Sequence, residues 1–258
     1  MFTTASELAN LALSTAIALA AGMIGCFAVM RRMALAADPM SHIALPGIGV
    51  ALILGGSPLL GALIMLVAGA VLIWAVERRT RIATEAVIGV TFSVALAVGS
   101  MITSGEELID ALFGRAGALQ PWEFILGLAG SIAVVVFTLR YRNALIVSLV
   151  SPELALTSKV QVARTDLYFL LAFALTIGLG LRYLGVLLMG ALLIIPAVIA
   201  RRFASSLNGM FSISVATAIL STVSGTGAAA VTGRQSGPFI VMISGGLFFL
   251  SLLWRRRT

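Results

Sequence analysis

The sequence contains little charge: only 10% of its 258 residues are Asp, Glu, Lys or Arg, whereas 60% are hydrophobic. Soluble domains carry on average about 25% charged residues. A water-soluble fold of this length would lack the polar surface to cover itself, and a disordered chain requires low hydrophobicity. The composition therefore excludes a disordered protein and an ordinary globular enzyme, and it predicts an integral membrane protein.

Cysteine and histidine occur once each, as Cys26 and His42. A single cysteine excludes a disulfide framework or a thiolate metal cluster within one chain. A single histidine excludes an HExxH metalloprotease site and a histidine-rich catalytic zinc site within one subunit. The sequence also shows no set of nucleophile and base that would indicate an intramembrane enzyme.

Long apolar runs fill most of the chain. A bilayer core about 30 Å thick requires about 20 apolar residues per helix. The runs predict an all-α, polytopic helical bundle that forms a single transmembrane domain over residues 1–258. Nine spans are expected, or eight with a re-entrant segment, because irregular backbone is tolerated where protein or a water-filled cavity surrounds it. The predicted spans are 9–30, 33–55, 58–76, 84–103, 121–139, 166–181, 184–200, 210–228 and 236–254.

The charges alternate between the two ends of these spans. Fourteen of the seventeen Lys and Arg residues fall on one side, and only Arg115, Arg182 and Arg234 fall on the other. Because positively charged loops stay in the cytoplasm, we expect the N-terminus outside and the C-terminus inside. The net charge of +7 thus reflects topology and does not indicate nucleic-acid binding. The longest polar stretches, 104–120 outside and 140–165 inside, are candidate surfaces for partner proteins.

One ionisable pair lies inside a predicted span. Asp38 and His42 are four residues apart, so a helix places both side chains on one face. In a continuous helix His42 would lie about 15 Å beyond the boundary at Arg32, close to the middle of the bilayer. A charged residue there costs about 2.5–3.5 kcal/mol on insertion scales and requires a partner. The pair predicts either a site for a divalent cation or a structural Asp–His hydrogen bond.

Two ligands are too few for one metal ion, since tetrahedral sites have about four and octahedral sites about six. A second copy of the chain across a two-fold axis would supply two more, with the Ser41 hydroxyl and water completing the shell. Cys26 is the only soft ligand, although a cysteine in a membrane helix is more often a packing residue. Pro39 and Pro46 bracket the pair and free backbone carbonyls, either for an ion site or in a plain packing kink.

Several segments, in order along nearly the whole chain, carry a family pattern. The most specific are Asp38-Pro-Met-Ser-His42, within 22–47, and Leu193-Ile-Ile-Pro-Ala197, within 185–201. The others are Leu112-Phe-Gly114, Ser151-Pro-Glu-Leu-Ala155 and Ser236-Gly-Pro-Phe239. Together these segments resemble the permease subunit of zinc/manganese ABC importers.

The resemblance implies that Asp38 and His42 form the metal-pathway pair and that residues 151–164 couple the permease to a cytoplasmic ATPase. The residues implied in that coupling are Ser151, Pro152, Glu153, Leu154, Ala155 and Lys159. It also implies a second permease copy, in a homodimer or close heterodimer, and an extracytoplasmic metal-binding protein. The ion transported would be Mn, Zn or Fe, with no permanently bound cofactor.

The resemblance further implies a multi-pass protein embedded in the lipid of a prokaryotic cell membrane, and a transport subunit rather than an enzyme. The sequence has no GxxxxGK[ST] phosphate-binding loop, so ATP hydrolysis is expected in a separate partner. Three residues depart from the family pattern. Ala37 and Pro39 flank Asp38 where glycine and a small residue are more usual, and Lys159 stands where a coupling-loop glycine is expected.

The alternative function is an ion-coupled secondary carrier or a channel for a cation. Such a protein is typically marked by a second intramembrane acid for a proton relay, or by an inverted repeat. The sequence shows neither feature clearly, so the importer subunit is the prediction.

Overall fold

The computed structural model describes residues 5–80, 82–102, 120–150, 161–184 and 186–253. Within these ranges the chain is helical and contains no strand, as the apolar runs predicted. The elements in chain order are α1 (Ala5–Met30), a 3-10 turn (Ala34–Ala36), α2 (Ala37–His42), α3 (Leu45–Ile53), α4 (Pro58–Thr80), α5 (Thr84–Ile102), α6 (Pro121–Val150), α7 (Val162–Leu184), α8 (Val186–Phe203), α9 (Leu207–Thr232) and α10 (Ser236–Leu253).

Eight segments of the described chain are long and apolar enough to cross a membrane. They correspond to eight of the nine predicted spans, and most of their ends lie within four residues of the prediction. The remaining predicted span, 184–200, corresponds to α8. This helix has 18 residues and carries Arg201 and Arg202 in its last turn. At about 1.5 Å per residue, α8 is about 27 Å long.

The prediction of a polar inner loop over 140–165 is wrong at both ends. α6 continues to Val150, and α7 begins at Val162. Arginine is a good helix former, and its long aliphatic stem can lie along an apolar helix surface. Arg142 also donates a hydrogen bond to the side-chain oxygen of Asn208 at 3.3 Å. Two charges in an otherwise apolar segment therefore did not end the helix.

Helix α1 is the central helix and packs against α6, α7, α8 and α9. Lipid offers no hydrophobic driving force between helices, so small residues that permit close contact hold them together. The Ser214 hydroxyl on α9 donates to the carbonyl of Gly22 at 2.7 Å. On the α8 side, Gly25 lets the Leu193 carbonyl approach so closely that a methyl group at Gly25 would overlap it.

Contacts between arginines, a tryptophan and helix termini collect at one end of the bundle, which we call the basic end. They involve the last turns of α1, α4, α6, α8 and α10 or residues near them, and the beginnings of α7 and α9. The contacts are Arg31–Asp166, Trp74–Ala163, Arg142–Asn208, Arg201–Val29 and Arg202–Leu252. The loops that share positive charge in the sequence thus share one physical end of the fold.

Replacing Gly25 with alanine is expected to lower the free energy of unfolding by about 3 kcal/mol, the upper end of overpacking costs. The obstructing group is the backbone carbonyl of Leu193, which cannot rotate away as a side chain could. At about 2–4 °C per kcal/mol, the unfolding midpoint in detergent should fall by about 6–12 °C.

The matched control is Gly89→Ala on α5, where an added methyl group meets nothing within 4 Å. This variant should unfold at the wild-type temperature or slightly above it, because alanine favours a helix over glycine by about 0.5–1 kcal/mol. Equal midpoints for the two variants would contradict the close contact between α1 and α8.

Candidate metal site

The second predicted span is not one continuous helix, contrary to the distance estimate made from sequence. α1 ends in a turn in which the Met33 N–H donates to the Ala28 carbonyl at 2.9 Å and the Arg32 N–H to that of Val29 at 3.2 Å. Arg32 has a φ of 62°, the left-handed conformation that glycine usually supplies at this position. An L-residue there costs about 1–2 kcal/mol, so the surrounding packing must hold the turn.

After the 3-10 turn the chain forms two short helices, α2 and α3, with residues 43 and 44 between them. Pro39 and Pro46 both lie in the first turn of their helices. A proline there lacks only an N–H that would have no intrahelical acceptor, and its φ suits a helix start. The two prolines therefore begin new helices instead of kinking a continuous one.

α2 carries both members of the predicted pair. Asp38 is exposed on the protomer, and His42 is half-buried four residues later on the same helix. The His42 ring lies 5.4 Å, centroid to centroid, from Phe92 on α5. Its Nδ1 atom is buried and has no hydrogen-bond partner among the described residues. The imidazole is thus held in place with a buried ring nitrogen that the described protein groups leave unpaired.

Ser41 is fully buried, and its hydroxyl donates to the backbone carbonyl of Asp38 at 2.6 Å. The bond holds one turn of the short helix between the two ionisable residues. The expected role of Ser41 as a further metal ligand stays a prediction.

Helices α5, α7 and α8 pack around α2. The closest contact is made by Gly190 on α8, where a Cβ atom would lie 3.1 Å from the Asp38 nitrogen and 3.2 Å from its Cα. On the next segment, Gly99 of α5 admits the Leu45 side chain, whose Cβ would lie 2.8 Å from an added methyl group. Sequence reasoning assigned no role to Gly190, although its place in an apolar helical segment was the available signal.

One protomer supplies an incomplete ligand set. Over the described ranges, no three or more His, Cys, Asp or Glu side chains are grouped so that they could hold a metal ion. Cys26 is buried on α1, and its thiol contacts the carbonyls of Gly22 at 3.2 Å and Met210 at 3.7 Å. Cys26 therefore packs between α1 and α9. This is the packing role that the sequence analysis gave as the usual one for a cysteine in a membrane helix.

The expected coupling residues, from Ser151 to Ala155 and Lys159, lie outside the described residues. What the structure describes is the chain on either side: the end of α6 and, from Gln161, the beginning of α7. Residues 162–164 of the predicted coupling segment belong to the first turn of α7.

The fold and this site define a polytopic helical membrane protein with a carboxylate and an imidazole on an interrupted helix. Residues 7–255 match the sequence profile of the ABC 3 transport family, and the chain belongs to that family.

Individual relatives agree over most of the chain. The high-affinity zinc uptake system membrane protein ZnuB of Haemophilus influenzae is 31% identical over 241 residues, which cover 91% of this chain and 92% of ZnuB. The manganese import system permease protein ScaB of Streptococcus parasanguinis is 31% identical over 247 residues, covering 93% and 88%. The solved structure of PsaBC from Streptococcus pneumoniae in complex with Fab matches with a TM-score of 0.81 and 26% identity, covering 94% and 89%.

A valine at Gly190 should displace Asp38 from its position, because the added carbons meet the Asp38 backbone and not a flexible side chain. A displacement of this kind near a site typically costs about 1.4 kcal/mol or more, which corresponds to tenfold. We expect uptake of radioactive Mn²⁺ or Zn²⁺ to fall about tenfold at equal amounts of folded protein.

Gly246→Val on α10 is the control, since a Cβ atom there meets nothing within 4 Å. It should transport as the wild type does. If both valine variants transport equally well, the contact between α8 and the Asp38 backbone has no bearing on the site.

Proposed function

We propose that this chain is the membrane-spanning permease subunit of an ABC-type importer of divalent metal ions, and that Asp38 and His42 bind the ion during its passage. The observation that carries the proposal is the α2 helix itself. It presents an exposed carboxylate beside an imidazole whose buried Nδ1 has no partner among the described residues. Of the three metals expected from the sequence, the relatives above are named for zinc and manganese.

The chemistry of the pair suits such an ion. Carboxylate oxygens are preferred by manganese, and imidazole nitrogens by zinc, so a mixed pair serves either metal. A carboxylate inside a membrane is costly without a compensating charge, and a divalent cation supplies one. A transport pathway must bind the ion well enough to accept it and weakly enough to release it, and a site with few protein ligands suits that requirement.

A second permease copy completes the site in this proposal. Asp38 is exposed on the isolated protomer, as expected of a ligand at an interface between two copies. A two-fold axis beside α2 would bring two carboxylates and two imidazoles to one ion, within the range of four to six ligands. Either two identical chains or two close relatives fit this arrangement.

The basic end of the bundle is the cytoplasmic end in this proposal, because positively charged loops remain in the cytoplasm. Residues 1–258 form one permease domain in the inner membrane of a bacterium, with the N-terminus outside. A metal-binding protein delivers the ion to the opposite face. ATPase subunits dock at the basic end against residues 151–164 and drive the alternation of access.

The ligand roles are tested with Asp38→Asn and His42→Gln, which nearly preserve side-chain size but remove the charge or the imidazole. We expect ATP-dependent metal uptake into proteoliposomes to fall more than tenfold in each variant, the lower end of losses seen even for groups that only support metal ligands. The amount and thermal stability of the folded permease should stay near wild type, since Asp38 is exposed and His42 is half-buried.

Glu85→Gln serves as the control, because it removes an exposed carboxylate from the first turn of α5. It should transport normally. Normal uptake by the Asp38 and His42 variants would end the proposed pathway, and uptake that needs no ATP would indicate a secondary carrier or channel instead.

A further inference from the structure

Arg31 is a charged residue held almost out of solvent at the basic end of the bundle. It directly follows the last residue of α1, and only 13% of its side chain is exposed. One guanidinium nitrogen forms an ion pair with Asp166 at 2.7 Å, and another donates to the Ser148 hydroxyl at 3.2 Å. The guanidinium also lies over the Phe169 ring, 4.5 Å from its centroid. A planar cation that makes three such contacts has a defined orientation.

The partners of Arg31 lie on both sides of one segment. Ser148 is near the end of α6, and Asp166 and Phe169 are in the first two turns of α7. The chain between them contains residues 151–160, which lie in the segment proposed to meet the ATPase. Arg31 is therefore bound to both helices between which that segment runs.

Arg31 is also the residue that leads into the metal pair. Asp38 follows seven residues later, after a turn fixed by the left-handed Arg32 and by the hydrogen bonds to the end of α1. Arg201 of α8 reinforces the same turn by donating to the Val29 carbonyl at 3.4 Å. Because few residues separate Arg31 from α2 and hydrogen bonds hold the turn between them, a displacement of Arg31 would also displace α2.

We propose that Arg31 is a positioning residue that couples movement of the end of α6 and the beginning of α7 to the metal pair on α2. When the ATPase displaces the ends of α6 and α7, the guanidinium follows them through Asp166 and Ser148. The α1–α2 turn moves with it, and so do Asp38 and His42. This inference rests on the proposed function, since it assigns a route between the ATPase contact and the metal site.

A purely structural contact makes a different prediction. If Arg31 only stabilised the bundle, its loss would reduce the amount of folded transporter, and ATP hydrolysis and metal transport would fall together. A coupling role changes their ratio. The informative quantity is therefore the number of metal ions transported per ATP hydrolysed.

The experiment uses the complete transporter in proteoliposomes, with the metal-binding protein and Mn²⁺ or Zn²⁺ added. Metal entry and ATP hydrolysis are measured on the same samples for wild type, Arg31→Gln and Asp166→Asn. Either substitution removes the ion pair, so each should lower the ratio about tenfold, within the usual range of coupling between sites. ATP hydrolysis per folded transporter should remain close to that of wild type.

Arg142→Gln is the matched control. It removes a positive charge from the same end of the bundle together with a hydrogen bond that joins α6 to Asn208 on α9, and not to α1 or α7. Its ratio of metal to ATP should equal that of wild type. An equal ratio in the Arg31 and Asp166 variants would overturn the coupling role.

If Arg31→Gln does not fold, the coupling role is tested with Arg31→Lys. Lysine keeps the charge opposite Asp166 but lacks the planar fork that reaches Ser148 at the same time. The ratio should then fall to a value between wild type and Asp166→Asn, and a wild-type ratio would overturn the proposal. Failure of the wild-type complex to import metal with ATP would instead reject the proposed function, and the coupling role with it.

Discussion

The interruption between α1 and α3 is the feature on which the rest of the structure depends. Backbone polar groups at membrane depth must find partners within the protein, so irregular backbone survives only where helices or a water-filled cavity surround it. Here the 3-10 turn, the short α2 and α3 pack against neighbouring helices on one side, while Asp38 stays exposed. Glycines make this packing possible, notably Gly190 against the Asp38 backbone and Gly99 against Leu45.

The same interruption positions the two residues of the proposed metal site. The short helix α2 carries two ionisable residues on one face, with Asp38 exposed and His42 half-buried. His42 is oriented by Phe92, and the hydroxyl of Ser41 secures the turn beneath it. Where the interruption begins, just after the last residue of α1, Arg31 attaches the chain to α6 and α7. Between Arg31 and the helix that carries the proposed metal pair lie only the turn at Arg32 and the 3-10 turn.

Hydropathy and charge predicted most of the architecture, because apolar length and loop charge are local properties of the sequence. The pair of Asp38 and His42 could be found in the same way, as ionisable residues in an apolar span. The two short helices could not, since hydropathy reports what a segment is made of and not whether it is continuous. Arg31 and Asp166 are 135 residues apart, so only folding brings them together, and Arg31 entered the sequence analysis only as one of the loop charges that set topology. The contact of Arg142 with Asn208 is likewise one that only folding creates.

The central claim is that the ion passes between Asp38 and His42, and it is tested most directly by locating a bound ion. The assembled transporter, trapped with Zn²⁺ in the membrane pathway, would be examined by anomalous X-ray diffraction at the zinc edge. The account predicts an anomalous peak about 2.0–2.2 Å from a carboxylate oxygen of Asp38 and an imidazole nitrogen of His42. A peak in the membrane region that contacts neither residue would contradict it.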